Sequence, residues 1–179
     1  MRLLLIGDVV GKPGRDIVRK AVPLLKRHQD IDFVITNAEN SAGGSGITPA
    51  IYEELMEAQV DAITLGDHIY RRREIYPVLE KKSNIVKPAN FPSAAPGRDV
   101  AIVPGPDGHK VAVISLLGRV FLKPVDCPFA AVDRVLERLP DDVQTIVVDM
   151  HAEATAEKQL MARHLDGRVT AVLGTHTHV

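Results

Sequence analysis

A chain of 179 residues is long enough to bury a respectable core and is most simply one domain. Its formal net charge of −1 and its lack of tryptophan leave no electrostatic footprint for a stable nucleic-acid partner. The single cysteine, Cys127, excludes an internal disulfide and fits a reducing cytoplasm; beside Pro128 it is expected to be a packing residue rather than a reactive thiol.

The apolar runs at strand positions fall short of the roughly 18 to 20 residues needed to span a bilayer, so no membrane partner is expected. Met1-Arg2-Leu3-Leu4-Leu5-Ile6 superficially resembles a signal peptide, but Asp8 interrupts it and no small-residue cleavage site follows. It reads as the first strand. Gly14 to His28 then carries apolar residues at Ile17, Val18, Ala21, Val22, Leu24 and Leu25, the spacing of a helix packed on a sheet. Pro23 is expected to kink or split it, because it lacks the donor for an intrahelical bond. After a strand at Phe33 to Ala38, Thr48-Pro49 places a capping residue before a proline at the first helical position. That second helix runs through Ile51, Leu55, Met56 and Ala58.

A strand at Ala62 to Gly66 precedes a third helix, Arg71 to Lys82, rich in charge and expected to be mostly solvated. Lys87 to Gly97 is an irregular, Pro- and Ala-rich connection. Val100 to Val103 and Lys110 to Leu117 flank Pro106-Asp107-Gly108 and predict a β-hairpin. Helical pattern returns at Phe129 to Leu139 and Ala154 to Leu165, around a strand at Thr145 to Val148; a last strand covers Ala171 to Gly174. Short strands alternating with helices argue for an α/β fold. The chain ends at Val179, one position after a candidate site residue, where termini usually fray; a C-terminal truncation is expected.

Five of the strands share one property: each runs out into residue types that bind metals. The first ends on Asp8, the second on Glu39-Asn40, the third on Asp67-His68. The fourth leads through Asp149 to His151, and the last to His176 and His178. Ligands bind at the carboxyl ends of strands in open α/β sheets, and Asp, Glu, Asn and His together suit hard or borderline divalent metals. Taken singly, each signal has a plain structural reading. Gly7-Asp8 can be a turn or a helix cap, Glu39-Asn40 an Asx turn opening the glycine loop Gly43 to Gly46, and His68 a hydrogen-bonded loop residue. Arg71-Arg72-Arg73 is more simply a solvated face than a phosphate lure. Gly7 to Lys12 fails as a phosphate loop, because only three residues separate its glycines and Pro13 stands where Ser or Thr is needed. His176 and His178 are the sharper pair, since in an extended segment residues two apart point the same way. His28, His109 and His164 fall on helix or turn positions and receive no site role.

Five segments in this order, Gly7-Asp8, Asn37-Ala38-Glu39-Asn40, Gly66-Asp67-His68, His151-Ala152-Glu153-Ala154-Thr155 and Gly174-Thr175-His176-Thr177-His178, resemble the YmdB-like metallophosphoesterases of the calcineurin-like superfamily. Leu117-Gly118-Arg119-Val120-Phe121 resembles the family as well, and the likeness runs from Met1 to Val179. The resemblance implies an αββα sandwich of two mixed sheets, the second left incomplete by the early end of the chain. It implies a hydrolase that converts 2′,3′-cyclic nucleotides to 3′-phosphonucleosides through a hydroxide held by two divalent metals, iron or else manganese. By position, Asp8, Glu39, Asn40 and His178 correspond to ligands of the first metal. Glu39, Asp67, His151 and His176 correspond to ligands of the second, and His68 to the proton donor. The family usually carries Asn where this chain has Asp67. Two alternatives share the same residues: a metal-dependent phosphomonoesterase or nuclease, and a non-catalytic module that senses metal or nucleotide. The partner expected is a small phosphodiester or cyclic nucleotide, with homo-oligomerisation left open.

Overall fold

The computed structural model describes residues 1–178, so Val179 and the truncation expected there lie outside the described residues. The chain forms two four-stranded sheets. The first is all parallel, in the order β1 (Leu3–Ile6), β2 (Phe33–Asn37), β3 (Ala62–Thr64) and β4 (Ile85–Val86). The second runs β5 (Val100–Pro104), β6 (Lys110–Leu117), β7 (Val143–His151) and β8 (Ala171–Thr175). Here β5 and β6 are the antiparallel hairpin expected around Pro106–Gly108, and the remaining pairs are parallel.

Strand residues alternate between faces, and this alternation separates three apolar layers. On β2, Val34 joins the cluster beneath helices α1 (Gly11–His28), α2 (Pro49–Glu57) and α3 (Tyr76–Lys81), whereas Phe33 and Ile35 point the other way. On β7, Val148 and Met150 pack beneath α4 (Pro128–Leu136) and α5 (Thr155–His164), whereas Val147 points away from them. Phe33, Ile35, Ala62, Val86, Ala101, Val111, Val113 and Val147 meet in one cluster between the two sheets. The layering is helix, sheet, sheet, helix, as the αββα expectation required, but only the second sheet is mixed; the first, expected to be mixed, is all parallel. No helix among the described residues is long and apolar enough to cross a membrane.

Local details depart from the expectations in physically readable ways. Pro23 sits inside α1 without dividing it. It leaves the Arg19 carbonyl without its usual donor, but Val18 and Val22, both buried, hold the helix to the core across that gap. Thr48 caps α2 as expected, its hydroxyl accepting from the Ile51 amide at 3.3 Å. The continuous third helix does not form. A 3-10 turn at Arg73–Ile75 feeds the short α3, with Pro77 in its first turn, and both Ile75 and Leu79 are buried rather than solvated. Strand β4 escapes the sequence because two residues show no periodicity. Cys127 is exposed where α4 begins, so it is not the packing residue expected.

Candidate metal centre

The row of side chains between the sheets changes from apolar to polar at the strand ends. On β2, Phe33 and Ile35 are followed two residues later by Asn37; on β7, Val147 is followed by Asp149 and then His151; on β3, Ala62 is followed by Thr64. These polar residues are all fully buried. Beyond them the loops deliver the expected residues to one place. Glu39, Asp67, His151 and His176 each offer a ligand atom, and these atoms lie within 4.8 Å of one another. His151 Nε2 is 3.1 Å from Glu39 Oε1 and 3.5 Å from Asp67 Oδ1, and His176 Nδ1 is 3.1 Å from His151 Nε2.

Asp8, Asn40 and His178 form the adjoining half. Asp8 Oδ2 accepts from Asn40 Nδ2 at 3.1 Å and lies 3.0 Å from His178 Nε2, while Asp8 Oδ1 accepts from the His176 amide at 3.2 Å. A cleft of about 360 Å³ opens on this side, lined by Gly7, Asp8, Val10 and Gly174 to His178 among others. Glu39 joins the halves: Oε1 faces His151 and Asn40, and Oε2 accepts from the His68 amide at 3.0 Å. All seven proposed ligands and His68 therefore occupy one continuous site. A larger groove, about 510 Å³ and lined by Asp99, Asp126, Arg134 and Arg138 among others, contains none of them.

His176 and His178 reach the site by a different route from the one expected. The extended conformation stops at Thr175, and both histidines adopt positive φ, 94° and 56°. That conformation is rare for residues with a Cβ and concentrates at functional sites. As a result His176 turns toward His151 and His178 toward Asp8, rather than both pointing along one row.

Burial and pairing set the charges. Asp67 is held down to about 2, mainly by its pairing with His151, against the opposing effect of burial. Burial alone would push His151 down, but its pairing with Asp67 and Glu39 and the nearby charges of Glu39 and Asp149 raise it to about 10. Asp149 is pushed up by burial, which the charge of His151 and the hydrogen bonds from Thr175, Thr64 and Asn37 only partly counter. At 3.5 Å from His151 Nε2, Asp67 Oδ1 is buried without a well-formed hydrogen bond. A buried carboxylate oxygen left in that state is costly, and a cation at the centre of the four donors would satisfy it. Hard oxygens together with imidazole nitrogens fit a divalent transition metal.

Sequence reasoning passed over four contributors: Asn37, Thr64, Thr175 and, as more than a residue on the way to His151, Asp149. Their signal was a polar residue inside an apolar strand, two positions before a candidate ligand or at the strand's last residue. Glu153 also takes part, its Oε2 3.0 Å from His176 Nε2. A carboxylate behind a ligating histidine orients the ring.

Comparison with known proteins agrees with this architecture. The profile of the family described as "YmdB-like protein" matches residues 4–179. A Bacillus subtilis (strain 168) protein named 2′,3′-cyclic-nucleotide 2′-phosphodiesterase is 46% identical over 179 residues, covering 100% of this chain and 67% of that protein. A crystal structure of a hypothetical protein from Thermus thermophilus superposes with a TM-score of 0.93 at 41% identity, covering 100% of this chain and 69% of the other. A crystal structure described as a novel phosphatase, from Mycoplasma pneumoniae, gives 0.90 at 33% identity, covering 99% and 64%. The chain thus spans about two thirds of the length of these relatives. It belongs to the YmdB-like family, among hydrolases of the metallophosphoesterase type.

Proposed function

We propose that the protein is a metal-dependent phosphodiesterase that opens 2′,3′-cyclic nucleotides at the 2′ oxygen and leaves 3′-phosphonucleosides. The observation that carries this reading is the unsatisfied buried oxygen of Asp67, set among the donors of Glu39, His151 and His176. The substrate class is that named for the Bacillus subtilis relative. In this reading Asp8, Glu39, Asn40 and His178 hold one divalent ion, and Glu39, Asp67, His151 and His176 hold a second, with Glu39 common to both. Two such ions, iron or manganese, would neutralise phosphate oxygens and make water an effective nucleophile at neutral pH.

The chain's own side chains supply orientation and the proton. Breaking the bond from phosphorus to the 2′ oxygen leaves an alkoxide that must be protonated. His68 is the donor, acting as the imidazolium: its Nδ1–H donates to Asn40 Oδ1 at 2.7 Å, and its Nε2–H is the proton given to the leaving oxygen, which returns the ring to neutral imidazole. Asn40 is itself fixed by its bond to Asp8, so the donor's ring is held through two side chains. His68 is partly open to solvent, which allows its proton to be replaced between turnovers. General acid help of this kind is worth about 10² to 10⁴-fold.

Elemental analysis of freshly purified, unchelated protein should find about two transition-metal ions per chain. Incubation with 2′,3′-cyclic AMP should then yield the 3′-phosphate. His151→Ala or His176→Ala should weaken mainly one site and Asp8→Ala mainly the other, since their ligand sets differ. No bound metal together with no activation by iron or manganese would remove this reading. The description of the Mycoplasma pneumoniae structure as a phosphatase favours a second reading, a phosphomonoesterase on the same residues, which substrate profiling separates from the first.

A further inference from the structure

Behind the proposed ligands, five buried side chains from both sheets converge: Asp149, the three that bond its carboxylate (Asn37, Thr64 and Thr175) and His151. Asp149 Oδ1 accepts from the Thr175 hydroxyl at 2.6 Å, and Asp149 Oδ2 accepts from the Thr64 hydroxyl at 2.6 Å and from Asn37 Nδ2 at 3.2 Å. Thr175 is the direct partner of His151 in the β7–β8 ladder, and Asn37 is the partner of Thr64 in the β2–β3 ladder. His151 Nδ1 lies 2.8 Å from the Thr175 oxygen. Thr175 is 5% exposed and the other four are fully buried, so water does not compete for these bonds.

A proton inventory fixes what this cluster does. A threonine hydroxyl has one proton and two lone pairs. With Asp149 present as the carboxylate, the 2.6 Å bond to it takes that proton, so Thr175 can only accept from His151. Nδ1 must then carry the imidazole proton, and in the neutral ring Nε2, which faces Glu39, Asp67 and His176, carries the lone pair. The opposite tautomer would have Nδ1 accept from Asn37 Nδ2 at 3.3 Å and would set two lone pairs 2.8 Å apart, His151 Nδ1 against Thr175. Asn37 is not free to reverse its amide either, because its Oδ1 accepts from the Glu39 amide at 3.2 Å.

We propose that Asp149 and Thr175 are positioning residues for His151: the carboxylate orients the Thr175 hydroxyl, and the hydroxyl holds the Nδ1 proton, so that Nε2 is the nitrogen presented to a metal. Asn37 extends the same control to Glu39, its amide nitrogen bound to Asp149 and its oxygen to the Glu39 backbone. The inference rests on the metal site proposed above and adds to it how one ligand acquires the required tautomer. Neutral imidazole with a defined second hydrogen bond is the form in which histidine binds metal, and losing that second partner typically costs about 10- to 100-fold in affinity.

The test uses zinc as a diamagnetic probe with the full chain. Titration calorimetry should give Thr175→Val a zinc affinity about 10- to 100-fold below that of the unsubstituted chain, whereas Thr175→Ser, which keeps the hydroxyl, should stay within about threefold. Asp149→Asn should lose affinity like Thr175→Val, because an amide nitrogen can donate to Thr175 and turn its proton toward Nδ1. In ¹⁵N spectra of the zinc-loaded, unsubstituted chain, His151 should show a protonated Nδ1 and a zinc-bound Nε2. That spectrum decides the matter even if a variant fails to fold. An unprotonated or zinc-bound Nδ1, or unchanged affinity in Thr175→Val, overturns the relay while leaving the metal site standing. An unsubstituted chain that takes up no zinc overturns the metal reading itself and the relay with it.

Discussion

A Cβ on Gly66 would lie 2.3 Å from Cδ2 of His151 and 2.5 Å from Glu39 Oε2. The loop after β3 therefore passes against the proposed metal ligands with no room for a methyl group, and the reason for glycine there is close approach rather than backbone conformation. Gly66→Ala should displace His151 or Glu39, both fully buried and each held by several bonds. Overpacking of this kind costs about 1 to 3 kcal/mol. The expected result is a lower melting temperature together with reduced metal content by elemental analysis. A variant with unchanged metal content and stability would mean that the loop yields easily and that the centre is less rigid than its geometry implies.

His68 should matter for turnover more than for metal retention. Its ring bonds to Asn40 and its amide to Glu39, but in the proposed roles it is a proton donor, not a ligand. His68→Ala should lower kcat by about 10² to 10⁴-fold with near-normal metal content. The deficit should shrink for nitrophenyl phosphodiesters, whose leaving group needs little protonation. Equal losses on good and poor leaving groups would argue against proton donation.

Asp67→Asn tests a proposed ligand position at which the resemblance to the family leads one to expect Asn. The carboxylate places a negative charge beside the site where an anionic substrate would bind, and its Oδ2 lies 3.6 Å from His68 Nε2. Asparagine keeps the shape and one acceptor oxygen while removing the charge. The expected change is about a three- to thirtyfold rise in kcat/KM, roughly 0.6 to 2 kcal/mol of transition-state stabilisation, with no gain in metal. Loss of the second metal and of activity would instead make the carboxylate an indispensable ligand.

The raised His151 and lowered Asp67 predict a specific pH profile for chelator-treated protein. His151 titrates near 10 against an ordinary 6.5, so its contribution to stability is complete below 6.5 and is lost as pH rises through about 10. Asp67 titrates near 2 against 3.8, so its contribution is complete above 3.8 and is lost as pH falls through about 2. From these two groups the stripped protein should be most stable between pH 3.8 and 6.5, with an alkaline decline on the order of a few kcal/mol. Thermal melts from about pH 6 to 10 in excess chelator would show that decline, and His151→Gln should flatten it. A flat profile in the unsubstituted chain would mean that His151 is not paired as the structure places it.

The sequence by itself determined which apolar runs become strands and which residue types follow them, although β7 continues past Val148 to end on His151 itself. Short apolar runs closing on Asp8, Glu39, Asp67, His151 and His176 follow from local patterning, and the alternation of faces along β2 and β7 is a property of any strand. Helix breaks were less legible. Arg71 to Lys82 has helical composition, but burial of Ile75 and Leu79 and the proline at the start of α3 selected a 3-10 turn and a shorter helix. For His176 and His178 the residues were correctly grouped but their geometry was not, because the turn to positive φ goes with Asp8, from the segment after β1, bonding the His176 amide and facing His178. Only the packing of one sheet against the other decided that Asn37 and Thr64 meet Asp149, His151 and Thr175. Those contacts join residues more than 80 positions apart in the chain, and no local period encodes such a distance. Hydrogen-bond partners in a buried polar cluster are chosen by which faces are brought together, and that choice belongs to the tertiary structure.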